Sequence, residues 1–247
     1  MGNAQWLILF SFTPKIEFVM NIEIIETEDG SHTLFSKTFN EIYHSRRGAI
    51  EESHHVFIDA GLKYLLEHKT ELTILEVGFG TGLNALLTAL EVHRTSHKIN
   101  YFGVEPFPVP SAVVEQLNYP QLIDQPSAAD LYKGLHECPW NEWQAVESSF
   151  QLYKAPATIE ALFTQHALEN IPTFDLVYFD AFAPSKHPEI WTLEVLQGIR
   201  QHLASGAILV TYCAKGQFKR DLKAAGFELE SLPGPHFKRE MTRGKAV

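Results

Sequence analysis

The sequence predicts an α/β fold with a doubly wound, mostly parallel sheet and an N-terminal β-hairpin extension. Apolar runs rich in β-branched residues alternate with helical patterns, as in sheets whose parallel strands are joined by helices. A glycine-rich loop follows the first core strand, at Gly78 to Gly82. Acidic residues stand at three strand ends, at Glu76, Glu105 and Asp180. Because ligands bind where the strands of such sheets end, we expect the functional site there.

The N-terminal part is expected to contain an extension and a hairpin. Residues 1–20 include an apolar run that is too short to span a bilayer and lacks the features of a signal peptide. We therefore expect them to lie outside the core fold. Over about 21–45, apolar and polar residues alternate around Asp29-Gly30, a strong hairpin signal. Residues 21–247 are expected to form one domain, with a helix over 51–68 before the first core strand.

The remaining elements are predicted to alternate regularly. After a proline-rich turn that follows Glu105, the patterns predict helices over 111–117, 127–136, 158–168, 188–203 and 217–225. Buried strands are predicted over 150–154, 174–180 and 207–212. The chain is predicted to close with an antiparallel pair, over 227–232 and 236–242, around Pro233-Gly234-Pro235.

Composition and charge restrict the class of protein. The chain has 247 residues and 2 cysteines without a C-x-x-C pair, so we expect no disulfide framework and a reducing cytoplasm. The 12 histidines are scattered, which predicts no metal site, and no segment is a membrane-span candidate. The net charge of −10 argues against a general nucleic-acid binder. Residues 215–247, however, hold eight Lys and Arg against four Asp and Glu, which suits either phosphate binding or a solvated face.

The glycine loop indicates which ligand the sheet binds. Glu76 is followed by Gly78, Gly80 and Gly82, an E-x-G-x-G-x-G pattern between a strand and a helix. A dinucleotide site would have G-x-G-x-x-G, and a P-loop would continue with Lys and Ser or Thr. The acid-led pattern resembles the first motif of class I S-adenosylmethionine (AdoMet) methyltransferases. AdoMet has a cationic tail and no phosphates, so an acidic loop suits it; a glycine turn without a ligand is the alternative.

Two further acids are placed to bind this ligand and its acceptor. Glu105 ends the second core strand 23 residues after Gly82, where an acid can bind both ribose hydroxyls. Asp180 opens the segment Asp180-Ala-Phe-Ala-Pro184 after the fourth strand, which faces the acceptor in class I methyltransferases. A solvated Glu and a helix-capping Asp are the structural alternatives. Three acids around one crevice favour a functional site.

Three longer segments resemble the methyltransferase part of the bifunctional tRNA 5-methylaminomethyl-2-thiouridine biosynthesis proteins (MnmC-type). They are Glu76-Val-Gly-Phe-Gly-Thr-Gly-Leu-Asn84, Asp180-Ala-Phe-Ala-Pro-Ser-Lys186 and Lys238-Arg-Glu-Met241, within a similarity that runs over about 22–245. The resemblance implies a Rossmann-like, AdoMet-dependent class I methyltransferase. It also implies that the matching motif positions bind the cofactor, namely Glu76, Gly78, Phe79, Gly80, Gly82, Asn84, Glu105 and Asp180.

The resemblance further implies a reaction on tRNA. AdoMet would methylate the amine of 5-aminomethyl-(2-thio)uridine at the wobble position, with Asp180 as the catalytic residue that orients the ammonium and accepts its proton. The chain has no flavin-binding G-x-G-x-x-G unit, so it is expected to be a stand-alone methyltransferase supplied by a separate oxidase. Tyr43 is expected against the base. Phosphate contacts are expected from Lys186, Lys215, Lys219, Arg220, Lys238 and Arg239.

The sequence leaves other functions open. A class I methyl- or aminopropyl-transferase for a small-molecule amine suits the acidic body of the chain. The glycine spacing disfavours an NAD-linked oxidoreductase, and the intact glycines and acids disfavour a non-catalytic RNA-binding protein. The adenine contacts are also open, because the loop Ala155-Pro-Ala157 lacks an acid. Glu51 or Glu52 can face the AdoMet amino group, although exposed helix acids are the default expectation for both.

Overall fold

Two β-sheets organise the computed structural model, which describes residues 21–164, 171–235 and 238–247. In chain order the strands are β1 (Ile22–Glu26), β2 (His32–Ser36), β3 (Glu41–Ile42), β4 (Glu71–Val77), β5 (Lys98–Val104), β6 (Gln144–Glu147), β7 (Phe150–Ala155), β8 (Phe174–Phe179), β9 (Leu203–Thr211), β10 (Phe227–Leu232) and β11 (Met241–Ala246). The large sheet has the order β10-β11-β9-β8-β4-β5-β7-β6. Its neighbours from β9 to β7 are parallel, which confirms the predicted doubly wound, mostly parallel sheet.

Helices cover both faces of the large sheet. In chain order they are α1 (Ala49–Ser53), a π-helical stretch (His54–Lys63), α2 (Tyr64–Leu66), α3 (Leu83–Val92), α4 (Ser111–Val114), α5 (Tyr119–Leu122), α6 (Ala128–Glu137), α7 (Ile159–Thr164), a 3₁₀ turn (Pro188–Trp191), α8 (Leu193–Gln201) and α9 (Gly216–Ala224). The helix from α1 to α2 is continuous and shares one apolar core with α3 and α6. Helices α7, α8 and α9 form the other core. None of the described helices is long and apolar enough to cross a membrane.

Several boundaries differ from those predicted. The helix predicted over 188–203 is divided, because Thr192 has an extended backbone and its hydroxyl caps α8 by accepting from the Val195 amide (3.4 Å). Helix α8 ends at Gln201, and β9 begins at Leu203 rather than at 207. Strand β11 begins at Met241 rather than at 236. Residues 1–20, 165–170 and 236–237, on which parts of the predicted elements fall, lie outside the described residues.

Besides the third N-terminal strand, β3, two short elements were not predicted. Helix α5 is a single turn, and β6 is a polar edge strand that pairs antiparallel with β7. Neither has the apolar periodicity that identifies a buried element in a sequence.

Hydrogen bonds hold the N-terminal sheet beside the carboxyl edge of the large sheet. Strands β1 and β2 pair antiparallel around Asp29-Gly30, which confirms the hairpin, and β3 adds a third strand. The His32 amide donates to Asn118 Oδ1 (2.8 Å), and Asn118 Nδ2 donates to the Gly30 carbonyl oxygen (2.9 Å). These bonds explain how residues from a peripheral sheet can reach the site that is described next.

Candidate active site

The three strand-end acids meet at one edge of the large sheet. Strand β4 lies between β5 and β8 and runs parallel to both. Glu76 is the next-to-last residue of β4, Glu105 follows β5 directly, and Asp180 follows β8 directly. Neighbouring carboxyl ends therefore carry one acid each, as expected from the sequence.

The glycine loop passes very close to the end of β8. Gly78 has a φ of 94°, and a Cβ there would lie only 2.4 Å from the Asp180 carbonyl oxygen. Gly82, with a φ of 73°, precedes the first residue of α3. Left-handed backbone and close approach both require glycine at Gly78, so the loop pattern follows from the geometry of this edge.

Glu105 is fixed by backbone amides of the site. Its Oε2 accepts from the Gly80 amide and its Oε1 from the Phe107 amide, both at 2.9 Å. The residue is 7% exposed. Burial raises the pKa of the Glu105 carboxyl group to about 7, although the two amides lower it. The group therefore titrates close to neutral pH in the folded protein.

We expect Glu105 to make the stability of the protein depend on pH. Its folded-state pKa of about 7 lies above the ordinary value of 4.5, so the folded state binds the proton more tightly. Stability from this group is thus present below about pH 4.5 and is lost as the pH rises to about 7, by up to ~3 kcal/mol. Urea unfolding of the wild type and Glu105→Gln between pH 4 and pH 8 measures this.

The test compares the unfolding free energy of the wild type and of Glu105→Gln as a function of pH. Loss of hydrogen bonds in Glu105→Gln shifts its curve by a constant amount, whereas loss of the titrating proton changes its slope. Glu137→Gln, on an exposed position of α6, is the matched control and should leave the slope unchanged. Parallel curves for the wild type and Glu105→Gln would contradict the raised pKa.

Asp180 and Glu76 share one side-chain amide. Asn84 Nδ2 donates to Asp180 Oδ2 (2.8 Å) and to Glu76 Oε1 (2.9 Å). Burial raises the pKa of Asp180 to about 7, and the charge of Glu52 raises it further, whereas Asn84 and Lys238 lower it. Asp180 and Asn84 line a cavity, whereas Glu76 is 1% exposed and is not among its lining residues. The cofactor contact expected for Glu76 would therefore have to pass through Asn84.

The cavity has the size and charge of a site for a cationic nucleoside ligand. It measures about 830 Å³ including its open side, and typical small-molecule and cofactor sites measure about 300–1,000 Å³. Gly78, Gly80, Glu105 and Asp180 line it. Among the described residues that line it there is no Lys or Arg, so a pyrophosphate would have no cationic partner. AdoMet, which is cationic and has no phosphate, fits this set of groups.

Five aromatic side chains from three separate segments form one wall of the cavity. This aromatic wall consists of Phe39, Tyr43, Phe107, Phe182 and His187. The Phe182 ring centroid lies 5.1 Å from that of Phe39 and 5.0 Å from that of Tyr43. Of these five residues, only Tyr43 is predicted from the sequence. Phe182 lies in one of the three segments of family resemblance, which was the one available signal; Phe39, Phe107 and His187 lie outside those segments.

The basic residues expected to bind phosphates divide into two sets. Lys219 is paired with Glu240 at 2.9 Å, and Lys238 is paired with Glu52 at 2.5 Å. The others are exposed and form no ion pair with another described residue: Lys186, Lys215, Arg220 and Arg239. The second set is thus the better placed for a polyanionic partner.

Glu52 is not the exposed helix acid that was expected. Glu52 is 7% exposed, and its Oε2 accepts from the Ser45 amide (2.8 Å). Its ion-pair partner Lys238 also contacts Tyr212, since Lys238 Nζ lies 4.9 Å from the centroid of the Tyr212 ring. Glu51, its neighbour, is exposed as expected. The structure therefore brings an ion pair between the buried Glu52 and the exposed Lys238 close to Asp180, since both partners affect the pKa of that carboxyl group.

The fold and the acidic glycine-loop cavity are those of a class I AdoMet-dependent methyltransferase. A family model described as S-adenosyl-L-methionine-dependent methyltransferase matches residues 131–246. The bifunctional tRNA 5-methylaminomethyl-2-thiouridine biosynthesis protein MnmC of Aromatoleum aromaticum is 33% identical over 230 residues, and the match covers 89% of this chain and 34% of that protein. The corresponding protein of Nitrosospira multiformis is 30% identical over 222 residues, with 85% and 35% covered.

The solved structures agree with this relationship. The crystal structure of MNMC2 from Aquifex aeolicus has a TM-score of 0.72 at 27% identity, covering 92% of this chain and 71% of that one. Spermidine synthase from Thermotoga maritima, with a TM-score of 0.51 at 13% identity, shares the fold. The chain is an AdoMet-dependent methyltransferase with AdoMet as its cofactor, and it is similar to the methyltransferase part of MnmC. It spans about a third of the length of the two MnmC relatives.

Proposed function

We propose that this methyltransferase converts 5-aminomethyl-(2-thio)uridine to 5-methylaminomethyl-(2-thio)uridine at the wobble position of tRNA. The observation that carries the proposal is the position of Asp180, a carboxyl group at the cofactor cavity beside an aromatic wall. A carboxylate suits an amine acceptor, and aromatic side chains suit a base. The relatives, named for biosynthesis of 5-methylaminomethyl-2-thiouridine in tRNA, support the choice of acceptor.

The residues of the cavity can be assigned to the cofactor. We infer that Gly78 and Gly80 let the backbone approach AdoMet, with Phe79 and Asn84 beside them, and that Glu105 accepts hydrogen bonds from the ribose hydroxyls. Gly82 does not line the cavity, and we infer that it lets the loop turn into α3. When bound, AdoMet supplies a methyl group that its sulfonium activates. The protein then has to align the acceptor, exclude water and provide a neutral amine.

Asp180 is suited to the last of these tasks. An alkyl amine with a pKa near 10 costs about 4 kcal/mol to deprotonate at pH 7. A nearby carboxylate favours the ammonium form, so Asp180 first binds and orients the acceptor. Because burial raises its own pKa to about 7, Asp180 is also a better proton acceptor at neutral pH than an exposed Asp would be.

The aromatic wall supplies the complementary surface for a base. A nucleotide has to leave its stack for a modifying enzyme to reach it, and aromatic side chains replace the lost stacking. Tyr43 contacts both the glycine loop and Phe182, since a Cβ at Gly80 would lie 3.2 Å from its ring. We infer that Tyr43 and Phe182 hold the uridine with its aminomethyl group toward Asp180.

Exposed lysines and arginines near the carboxyl edge are proposed to bind the tRNA backbone. We expect Lys186→Ala, Lys215→Ala and Arg220→Ala each to weaken tRNA binding and to reduce the slope of log K against log salt by about 0.7–0.9 per lost phosphate contact. Fluorescence titrations at several salt concentrations measure both quantities. Lys133→Ala, on exposed α6, is the control, and an equal effect of that variant would contradict a localised tRNA surface.

The experiment that tests the proposal is a methyl-transfer assay with labelled AdoMet. The acceptors are tRNA that carries free aminomethyl-uridine, the same tRNA without the aminomethyl group, and a simple diamine. Label in the wobble nucleoside of the first tRNA alone would support the proposal. Label in the diamine, with neither tRNA labelled, would instead support a small-molecule amine acceptor.

A further inference from the structure

A single buried amide connects the acid at the cavity with an acid in the core. Asn84 lies in the first turn of α3, and its Nδ2 donates to Asp180 Oδ2 and Glu76 Oε1 at 2.8 Å and 2.9 Å. Asn84 is 3% exposed and Glu76 is 1% exposed. Among the described residues, the remaining buried atoms of the pair, Asn84 Oδ1 and Glu76 Oε2, have no hydrogen-bond partner. The side-chain amide of Asn84 thus donates its hydrogen bonds to the two carboxyl groups.

We propose that Asn84 is a positioning residue that fixes the Asp180 carboxylate for proton acceptance, and that Glu76 acts on the reaction only through Asn84. The inference rests on the proposed role of Asp180 in methyl transfer. Because Asn84 holds Oδ2, the other oxygen of Asp180 is left without a hydrogen bond to any described side chain and is available to the acceptor amine.

Glu76 determines the orientation of the Asn84 amide. An amide can present either its NH₂ group or its carbonyl oxygen to a neighbour, and only the NH₂ group is a donor. With carboxyl groups on both sides, Nδ2 is the end that suits both, and its two hydrogens suffice for two acceptors. If Glu76 were apolar, one hydrogen of the buried NH₂ group would lose its acceptor, and Asp180 alone would hold the amide in this orientation.

Glu76 performs this role as a neutral acid. It is buried without an ion-pair partner among the described residues, and an isolated buried carboxylate is very costly. Burial, together with the charges of Asp180 and Glu105, raises the pKa of Glu76 well above its ordinary range. The hydroxyl group of Tyr101, also buried, faces the same carboxyl group. A neutral Glu76 still accepts from Asn84 and leaves Asp180 as the member of the pair that ionises near pH 7.

Other titratable groups also face Asp180 and have to be kept constant in the test. Glu52 reaches it from α1 and Lys238 from the segment before β11, and Tyr212 follows β9. None of them hydrogen-bonds to Asn84 in the described structure. Substitutions at Asn84 and Glu76 therefore change the shared amide while leaving these three neighbours in place.

The test is a carbon-13 NMR titration of the Asp180 carboxyl group, assigned with Asp180→Asn. We expect Asn84→Ala to raise the pKa of Asp180 by about one unit or more, because a hydrogen bond that favours the charged form is lost. Glu76→Gln, which mimics a neutral acid, should move it by less than about half a unit, whereas Glu76→Ala should raise it. Thr88→Ala is the matched control, since Thr88 is buried on the same helix but contacts Tyr178 instead.

Each outcome decides one part of the inference. An unchanged Asp180 pKa in folded Asn84→Ala overturns the role of Asn84. A fall of one unit or more in Glu76→Gln shows that Glu76 is ionised and overturns its neutral role. If Asn84→Ala fails to fold, the comparison of Glu76→Gln with Glu76→Ala carries the test.

Kinetics connect the titration to the reaction. We expect Asn84→Ala to lower kcat at least tenfold at pH 7 and to move the pH profile of kcat upward with the pKa of Asp180. A purely structural role would lower activity without moving that profile. A wild-type protein that methylates no tRNA would refute the proposed function. The NMR titration needs no methyl acceptor, so it would still test whether Asn84 and Glu76 position Asp180.

Discussion

Replacing Asp180 with Asn should abolish most methyl transfer while AdoMet binding is retained. Asn keeps the size of the side chain and an oxygen that can accept from Asn84, but it can neither bind an ammonium by charge nor accept its proton. General-base contributions are typically 10²–10⁴-fold, so we expect kcat to fall by about that factor. Single-turnover transfer from labelled AdoMet measures the rate. Calorimetry should show an AdoMet dissociation constant within about tenfold of the wild type, a difference below ~1.4 kcal/mol.

The control for this variant is another Asp→Asn change that leaves the site intact. Asp130→Asn, on an exposed position of α6, removes the same charge from the protein and should retain wild-type kcat. Wild-type activity in Asp180→Asn would remove Asp180 from the mechanism. A loss of AdoMet binding that fully accounts for the lost rate would instead make Asp180 a cofactor residue only.

Replacing Gly78 with Ala should disrupt the fold at the glycine loop. Two costs combine at this position: a left-handed backbone with a φ of 94°, and a Cβ only 2.4 Å from the Asp180 carbonyl oxygen. Strained backbone costs about 1–3 kcal/mol, and overpacking costs about 1–3 kcal/mol more. The contacted oxygen belongs to the backbone of Asp180, directly after β8. The steric clash can therefore be relieved only if Asp180 itself moves. We expect a large loss of unfolding free energy in urea and no measurable AdoMet binding.

Gly30→Ala separates the two costs. Gly30 has a similar φ of 82° in the N-terminal turn, but no atom lies within 4 Å of the position of a Cβ there. This variant should show only the backbone cost, about 1 kcal/mol, with normal AdoMet binding. Equal destabilisation of the two variants would mean that the close approach to Asp180 contributes nothing.

Features encoded within a short stretch of chain could be predicted from the sequence. The strand, glycine loop and helix around Gly78, the acids at the strand ends and the hairpin at Asp29-Gly30 are all found where expected. Each depends on hydrophobic periodicity or turn chemistry within about ten residues. The family resemblance added a candidate reaction, because its motifs lie in the same short stretches.

Contacts between distant parts of the chain could not be predicted in this way. Asn84 bonds to Asp180, 96 residues away, because the strand order places β8 beside β4. Glu52 is buried and still has partners for its charge, because it accepts from the Ser45 amide and pairs with Lys238, 186 residues away. The aromatic wall likewise joins Phe39, Phe107 and Phe182 from three loops. The sequence by itself determined the helices and strands of this protein, and it placed the three acids at strand ends. The order of strands in the sheet decided which of these side chains meet, because burial and charge act through space rather than along the chain.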